Sequence, residues 1–174
     1  MREWIPVSTS PKGRLVLAAV RAFGARPFDE VTVGELAAAA KVTTGTIYHH
    51  FGSKLGLYAF VREDVEQRLL DRMEGAIAAS APASGRSAAV TAALLVGFDF
   101  AVREGFLHIL GPPPAGAEHD RLAKMLNVSA APASPILGRA LAAAWRAALA
   151  AVAEGSEPQQ ARAALLAFEL RIPS

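Results

Sequence analysis

Several kinds of chemistry are missing from this sequence. None of its 174 residues is cysteine, which excludes a disulfide framework and a thiolate metal site. Only four histidines are present, and two of them, His49 and His50, are adjacent. Adjacent residues on a helix point about 100° apart and rarely share one ion. The segment 111–116 is rich in glycine and proline but lacks the Gly-Lys-Ser/Thr of a phosphate loop. We therefore expect no metal, no cofactor and no enzymatic activity.

Long hydrophobic runs are also missing. Nowhere do 18 consecutive apolar residues occur without a charge, so the sequence predicts no transmembrane helix. The N-terminal residues Met1 to Pro6 lack the apolar stretch of a secretory signal. We therefore expect no membrane partner and a cytoplasmic location, which the absence of cysteine also fits.

The sequence also lacks a large excess of charge of one sign, because the formal net charge is only +2. Residues 1–58 contain seven Lys/Arg and four acidic side chains, a balance of +3, whereas residues 59–174 contain eleven and twelve. This asymmetry indicates that any contact with a polyanion belongs to the first third of the chain. Ordinary surface variation would explain the charge pattern equally well.

What the chain has in abundance is helical periodicity. Apolar residues make up 52% of it, many of them alanine, and they recur every three or four positions between breaks rich in proline and glycine. The expected fold class is all-α, with an N-terminal helix-turn-helix domain at 10–54 and a helical domain at 55–174. The predicted helices lie near 11–25, 32–39, 43–50, 53–79, 86–110, 117–127, 135–154 and 157–172.

Residues 32–54 carry the most informative motif. Thr32 and Glu35 have the spacing of a capping box, and Thr43 is placed to cap a second short helix after a tight turn. The first turn of that second helix is small and rich in hydroxyl groups, as in a helix that approaches DNA closely. Ile47 and Phe51, four residues apart, are expected to face the core.

Residues 12–60 resemble the TetR (tetracycline-repressor-like) regulators, most specifically in the stretch GTIYHHFGSK from Gly45 to Lys54. The resemblance implies phosphate contacts from Thr32 and Lys54, and contacts with the DNA backbone or thymine methyls from Tyr48 and His49. Base-edge contacts are implied for a group of hydroxyl residues, namely Thr43, Thr44 and Thr46. Two residues depart from the family pattern, Lys41 and Pro27, where glycine is frequent. Lys41 either adds a phosphate contact or simply tolerates the turn.

The same resemblance implies that the C-terminal helices form an effector cavity and pair with a second copy. Helices 135–154 and 157–172 would build a homodimer whose two reading helices match a palindromic double-stranded DNA operator. A small hydrophobic effector is expected in a pocket lined by Phe98, Asp99, Val102, Phe106, His108, Leu122, Met125 and Trp145. The same apolar spacing also fits a plain core, and Asp99 has an alternative partner in Arg103.

Three functions remain open from the sequence. The first is a ligand-responsive repressor. The second is a TetR-like DNA-binding protein without a small-molecule ligand, controlled by a protein partner or architectural. The third is an enzyme, because His119-Asp120 resembles the HD pair of metal-dependent phosphohydrolases, although the further His and Asp ligands are not evident. A closed apolar core without a cavity would favour the second function.

Overall fold

Helices account for most of the backbone in this computed structural model, which describes residues 10–80, 85–130 and 136–167. Within those ranges there is no β-strand, and the all-α fold class is confirmed. The helices are α1 (Pro11–Ala25), α2 (Val33–Ala40), α3 (Thr44–Phe51), α4 (Lys54–Ala79), α5 (Gly85–Arg103), α6 (Leu107–Leu110), α7 (Arg121–Ser129), α8 (Leu137–Ala153) and α9 (Pro158–Ala167). Short 3-10 turns occupy Phe28–Glu30 and Ala117–His119.

The chain divides into two compact units, Met1–Glu66 and Gln67–Ser174. The long helix α4 begins in the first unit and ends in the second. The division therefore falls about three turns beyond the predicted boundary at residue 54. Below, residues up to Glu66 are called the N-terminal unit and the rest the C-terminal unit.

In the N-terminal unit, α1 packs against α2 and α3. Leu15, Leu36 and Ile47, one from each helix, are fully buried. Beside them, the ring of Phe23 lies 5.1 Å from that of Tyr58 and 5.9 Å from that of Phe28, measured between centroids. This small apolar core fixes the angle between α2 and α3.

Side-chain caps set where the helices of this unit begin. The hydroxyl of Ser10 accepts a hydrogen bond from the backbone N–H of Gly13 at 2.9 Å, and that of Ser53 accepts one from Gly56 at 2.9 Å. Thr32 accepts one from the N–H of Glu35 at 3.2 Å. These bonds satisfy N–H groups that a helix leaves without an internal partner. The predicted starts of α2 and α4 follow from them.

The C-terminal unit is organised around α8, which packs against α5, α6, α7 and α9. Trp145 of α8 is fully buried, and its Nε1–H donates to the carbonyl oxygen of Leu94 at 3.0 Å. Close approach of α8 to α7 depends on Gly138, since a Cβ there would lie 2.2 Å from the carbonyl oxygen of Ala123. Larger residues at 138 would push the two helices apart.

Two predicted helices differ from the structure. The helix expected over 86–110 is interrupted, because α5 ends at Arg103 and Gly105 adopts a φ of 71° before α6 begins. The helix expected from 117 starts at Arg121 instead, where the Asp120 carboxylate accepts from the N–H of Ala123. The end of the helix expected over 157–172 lies outside the described residues, as does residue 135.

Among the described helices, α5 is long and apolar enough to cross a membrane by length and composition, with a mean hydropathy of 1.4. Core helices of soluble proteins pass the same test, and α5 packs against α6, α7, α8 and α9. Its buried residues include Phe98 and Phe100. We therefore interpret α5 as a core helix.

Candidate nucleic-acid interface

Helix α3 presents a polar, solvent-exposed face on the N-terminal unit. Ile47 is fully buried and anchors the helix, whereas the next two side chains, Tyr48 and His49, are exposed, Tyr48 to 56%. Thr44 in the first turn is exposed as well. A half-exposed tyrosine on a helix anchored by one buried isoleucine is available to a partner, since its removal leaves the core intact.

Two hydroxyls lie together at the start of α3. Thr43 occupies the N-cap position but makes no capping hydrogen bond, and its Oγ1 lies 3.3 Å from Oγ1 of Thr46. The expected cap by the Thr43 side chain is therefore wrong. The N–H of Thr46 donates to the carbonyl oxygen of Thr43 at 3.0 Å, which leaves the N–H groups of Thr44 and Gly45 open to an acceptor, as phosphate binding at a helix N-terminus requires.

Thr32 begins α2 as part of a polar cluster with Glu35 and Arg26. Its hydroxyl donates to Oε2 of Glu35 at 3.2 Å while accepting from the Glu35 N–H. Arg26 forms an ion pair with the same carboxylate. Desolvation raises the pKa of Glu35, but the Arg26 guanidinium and the hydrogen bonds from Thr32 outweigh it, so that the pKa lies below its ordinary value. A phosphate contact from the Thr32 hydroxyl would have to compete with Glu35.

Lys54 at the start of α4 is engaged within the domain. Its Nζ donates to the carbonyl oxygens of Phe28 and Val31, each at 2.9 Å, and lies 4.0 Å from the centroid of the Phe28 ring. An ammonium has three N–H donors, so one is left for the phosphate contact implied by the family resemblance. The main visible role of Lys54 is to tie α4 to the 28–31 segment.

Lys41 lies in the turn between α2 and α3 with a left-handed backbone. Its φ is 53° and its ψ is 50°, and its N–H donates to the carbonyls of Ala37 and Ala38. Left-handed backbone disfavours residues with a Cβ, which explains why glycine is frequent in this turn in related sequences. Among non-glycine residues in the described part of the chain, only Lys41 has a positive φ.

The adjacent histidines do not form a metal centre with other side chains in the described ranges. The His49 and His50 rings lie 4.8 Å apart at an interplanar angle of 69°, and the His50 ring lies 6.2 Å from Phe51. Within residues 10–80, 85–130 and 136–167, no group of three or more His, Cys, Asp or Glu could hold a metal. The Phe51 ring lies 5.4 Å from that of Phe60 but is only half-buried, so that of the two residues expected to face the core only Ile47 is fully buried.

Known proteins contain a similar arrangement of two short helices, here α2 and α3, of which the second is exposed. Residues 15–60 match the family described as bacterial regulatory proteins, tetR family. This segment of the chain is therefore similar to the DNA-binding domain of that family. The match covers α2, α3 and most of α1, and it extends to Phe60 in α4. The TetR fold supports a DNA-binding transcription regulator.

Solved structures extend the likeness over nearly the whole chain. A TetR-like transcriptional regulator from Rhodococcus sp. RHA1 is 21% identical with a TM-score of 0.67, and covers 92% of this chain and 93% of its own. A putative tetR family transcription regulator from Shewanella sp. PV-4 is 19% identical with a TM-score of 0.66, over 91% and 95%. A second TetR transcriptional regulator from Rhodococcus sp. RHA1 is 20% identical with a TM-score of 0.56, and the match covers 92% of this chain and 97% of that one. No curated protein sequence matches the chain. These likenesses establish a shared TetR fold.

The residues predicted to line an effector pocket lie in the C-terminal unit, and half of them are packed core. Phe98, Leu122 and Trp145 are at most 1% exposed, and Phe106 is 4% exposed and meets the ring of Phe100 edge to face, with 5.5 Å between centroids. Side chains with so little accessible surface adjoin almost no space large enough for a water molecule. Contact with a ligand would require this core to open.

The other four predicted pocket residues are less enclosed. Val102, His108 and Met125 are half-buried. Asp99 is exposed and accepts a hydrogen bond at 2.9 Å from Nε of Arg162 in α9. The alternative partner Arg103 instead pairs with Glu104 at 3.3 Å. Asp99 therefore joins α5 to α9 at the surface.

His119 and Asp120 do not act together as an HD pair in this structure. His119 is exposed, with its Nδ1 3.1 Å from Glu118. Asp120 is buried, caps α7 and accepts two hydrogen bonds from Arg146, at 2.6 and 2.9 Å. The sequence analysis missed Arg146, although an arginine beside Trp145 in an alanine-rich apolar helix is the kind of charge that needs a buried partner.

Proposed function

We propose that this protein is a dimeric transcriptional repressor of the TetR family in the bacterial cytoplasm, without enzymatic activity. It binds a palindromic operator through α3 and is released by a small molecule held in the C-terminal unit. The observation that carries the proposal is the exposed face of α3, with Tyr48 and His49 outward and Ile47 fully buried.

The chemistry of that face suits DNA. Thr44 and Thr46 offer hydroxyls at the end of the helix where N–H groups are open, so they suit phosphate and base edges. Tyr48 offers both a ring for thymine methyls and a hydroxyl for phosphate. Thr43, Thr32, His49 and Lys54 would add contacts around it, with Lys54 using its one remaining donor.

Exposed apolar residues on α8 and α9 support dimerisation. Leu166 of α9 is 48% exposed, and Ala163, Ala167 and, on α8, Ala147 are exposed as well. Small side chains allow helices to approach closely, so that these two helices can form a four-helix bundle with their copies. A two-fold dimer would place two α3 helices about one DNA turn apart.

A second candidate is a TetR-family DNA-binding protein without a small-molecule ligand. The closed core around Phe98, Leu122 and Trp145 favours it. In this alternative a protein partner controls DNA binding, or the protein is architectural.

The decisive experiment is a salt titration of binding to the DNA immediately upstream of the protein's own gene, followed by fluorescence anisotropy. We expect binding that weakens steeply with salt, because phosphate contacts release counterions. Tyr48→Ala should weaken specific binding at least about tenfold, equivalent to about 1.4 kcal/mol. Comparison with Tyr48→Phe separates the contribution of the Tyr48 hydroxyl to DNA binding from that of its ring.

The matched control is Tyr58→Phe, because Tyr58 is half-buried against Phe23 and away from the exposed face of α3. It should bind the operator as the unaltered protein does. Binding by Tyr48→Ala equal to that of Tyr58→Phe, with both folded by thermal unfolding, would contradict the role of α3. Binding to random DNA equal to that of the upstream DNA would contradict autoregulation.

A further inference from the structure

An open groove of about 650 Å³ runs between α1 and α2 on the N-terminal unit. Near one end of it, Nε of Arg14 donates to the carbonyl oxygen of Ala40 at 3.0 Å, and near the other end Arg26 pairs with Glu35. These contacts join the start of each helix to the end of the other, so α1 and α2 are antiparallel. Arg14 and Arg26 are twelve residues apart on α1 and its C-cap, which gives the groove a length of about 18 Å.

The groove concentrates positive charge. Residues 10–66 contain seven lysines and arginines, and four of these line the groove, namely Arg14, Arg21, Arg26 and Lys41. The same range contains six acidic residues, of which only Glu35 lines it. Four positive charges less one negative charge leave +3 in the groove, whereas seven less six leave +1 in residues 10–66. A surface with such an uneven charge attracts a partner of opposite charge.

Two of the four cations are uncommitted in the described part of the chain. Arg21 is exposed and makes no hydrogen bond or ion pair there, and the same is true of the Lys41 ammonium. The backbone of Lys41 is left-handed, with a φ of 53°, where glycine would be unstrained. A lysine at a strained position indicates that its side chain has a use.

The floor of the groove is apolar and suits a helix. Seven of the twelve lining residues are alanine or leucine, and none carries a hydroxyl or an amide side chain. Small side chains between two packed helices let the ridge of a third helix approach closely. Contacts with a DNA backbone draw on hydroxyls and amides as well as cations, and the exposed hydroxyls of Thr43 and Thr44 lie at the start of α3 instead. The floor therefore favours a protein helix over a DNA backbone.

We propose that this groove binds an acidic amphipathic helix of a partner protein. The apolar face of that helix packs on the alanines of the floor, and its carboxylates lie beside Arg21 and Lys41. A length of about 18 Å accommodates roughly three helical turns, and recognition of a helix in a groove uses apolar anchors three and four residues apart. The inference goes beyond the proposed function, because it requires neither an operator nor a small-molecule effector. It gives the protein partner of the second candidate function a defined surface.

The test measures binding of three labelled synthetic peptides to the full-length protein by fluorescence anisotropy. The glutamate peptide has about 14 residues, or roughly four helical turns, with leucine and alanine on one face and glutamate on the other. In the glutamine peptide each glutamate is replaced by glutamine, and in the scrambled peptide the residues of the glutamate peptide are spread around the helix. We expect the glutamate peptide to bind at least about tenfold more tightly than either of the others, and its binding to weaken with salt.

Two charge variants separate binding from folding. Arg21→Gln and Lys41→Gly should each weaken binding of the glutamate peptide about fivefold, as for an exposed charge pair, and leave binding of the glutamine peptide unchanged. Because Lys41→Gly relieves the left-handed backbone, the loss of affinity is expected in a protein that is no less stable than the unaltered one.

The matched control is Lys12→Gln, since Lys12 is on α1 but lies over Phe51 and Phe60 and does not line the groove. It should leave all three affinities unchanged. A further variant, Ala39→Trp, fills the groove from an exposed position on α2 and should abolish binding of both the glutamate and the glutamine peptide. Circular dichroism and thermal unfolding confirm that each variant is folded.

Two results would overturn the inference. One is equal binding of the glutamate and glutamine peptides, or equal binding of the glutamate peptide by the unaltered protein and both charge variants. The other is no binding of the glutamate peptide at low salt. A flatter salt dependence of binding to random-sequence duplex DNA in the charge variants would then assign the groove to the DNA backbone. The peptide measurements contain no operator, so their failure is distinguishable from a failure of the proposed function.

Discussion

The two units place their chemistry in opposite ways. In the N-terminal unit the polar residues of the motif are exposed on α3, while one isoleucine, Ile47, holds the helix from below. In the C-terminal unit several residues expected to meet a ligand are buried, and the polar pair Asp120–Arg146 is enclosed with them. The contrast shows that a sequence motif with a defined backbone geometry predicts which side chains are exposed. Apolar spacing predicts only which side chains are buried, not which of them could meet a ligand.

The strongest test of this contrast is the buried ion pair. Arg146→Met should lower the free energy of unfolding by about 3–5 kcal/mol, because Asp120 is left charged and buried without its partner. Chemical denaturation followed by circular dichroism measures it. Arg162→Gln, which breaks the exposed pair with Asp99, should cost under about 1 kcal/mol. Equal losses in the two variants would show that enclosure of the Asp120 pair has no energetic effect.

The next effect concerns Lys54 in the N-terminal unit. Lys54→Met keeps the length of the side chain but removes two charged hydrogen bonds to Phe28 and Val31. We expect a loss of about 3 kcal/mol in the free energy of unfolding, since each of the two bonds to a charged group contributes at least about 1.5 kcal/mol. Lys12→Met, which lies over Phe51 and Phe60 instead, is the control and should lose less. A normal stability with weakened DNA binding would instead assign Lys54 to phosphate alone.

A smaller effect, of opposite sign, is expected at Lys41. Lys41→Gly should raise the free energy of unfolding by about 1 kcal/mol, because the left-handed backbone favours glycine. In a chain of this length the gain appears as a melting temperature about 2–4 °C higher. Lys41→Ala also removes the charge but keeps the Cβ, so it should show no gain. A gain in both variants would attribute the effect to charge rather than to backbone.

The smallest effect is the pH dependence contributed by Glu35. Its pKa in the folded state is lowered, so the ionised carboxylate stabilises the native state above its ordinary pKa of 4.5, and this contribution is lost as the pH falls through the folded value. The stability difference between unaltered protein and Glu35→Gln should therefore shrink on acidification. Unfolding curves at neutral and acidic pH measure it. Arg26→Gln removes the partner of Glu35, so its stability should depend less on pH than that of the unaltered protein. An equal pH dependence in the two proteins would exclude the ion pair as the cause.

Sequence reasoning was most successful where a side chain bonds to its own local backbone. Thr32 and Ser53 marked the starts of α2 and α4 correctly, because each hydroxyl caps a helix three residues ahead. The helix expected over 86–110 failed for a related reason. Its apolar spacing runs on through Gly105, and the signal that ends the helix is one glycine with positive φ.

The candidate site divides in the same way. The exposure of Tyr48 and the burial of Ile47 follow from helical spacing within a specific motif. The pairing of Lys54 with two carbonyls 23 and 26 residues earlier depends on tertiary packing. The pairings of Asp99 with Arg162 and of Asp120 with Arg146 also join distant helices. Spacing along one helix holds no information on which residue of another helix lies opposite.

Trp145 also makes the C-terminal unit optically distinct. Its indole is fully buried and its N–H is bonded to Leu94, and the only other tryptophan in the sequence is Trp4. A Trp4→Phe protein therefore has a single tryptophan, placed in the core of the C-terminal unit and next in sequence to Arg146. Excited at a wavelength that tyrosine does not absorb, it would follow opening of that core without any attached label.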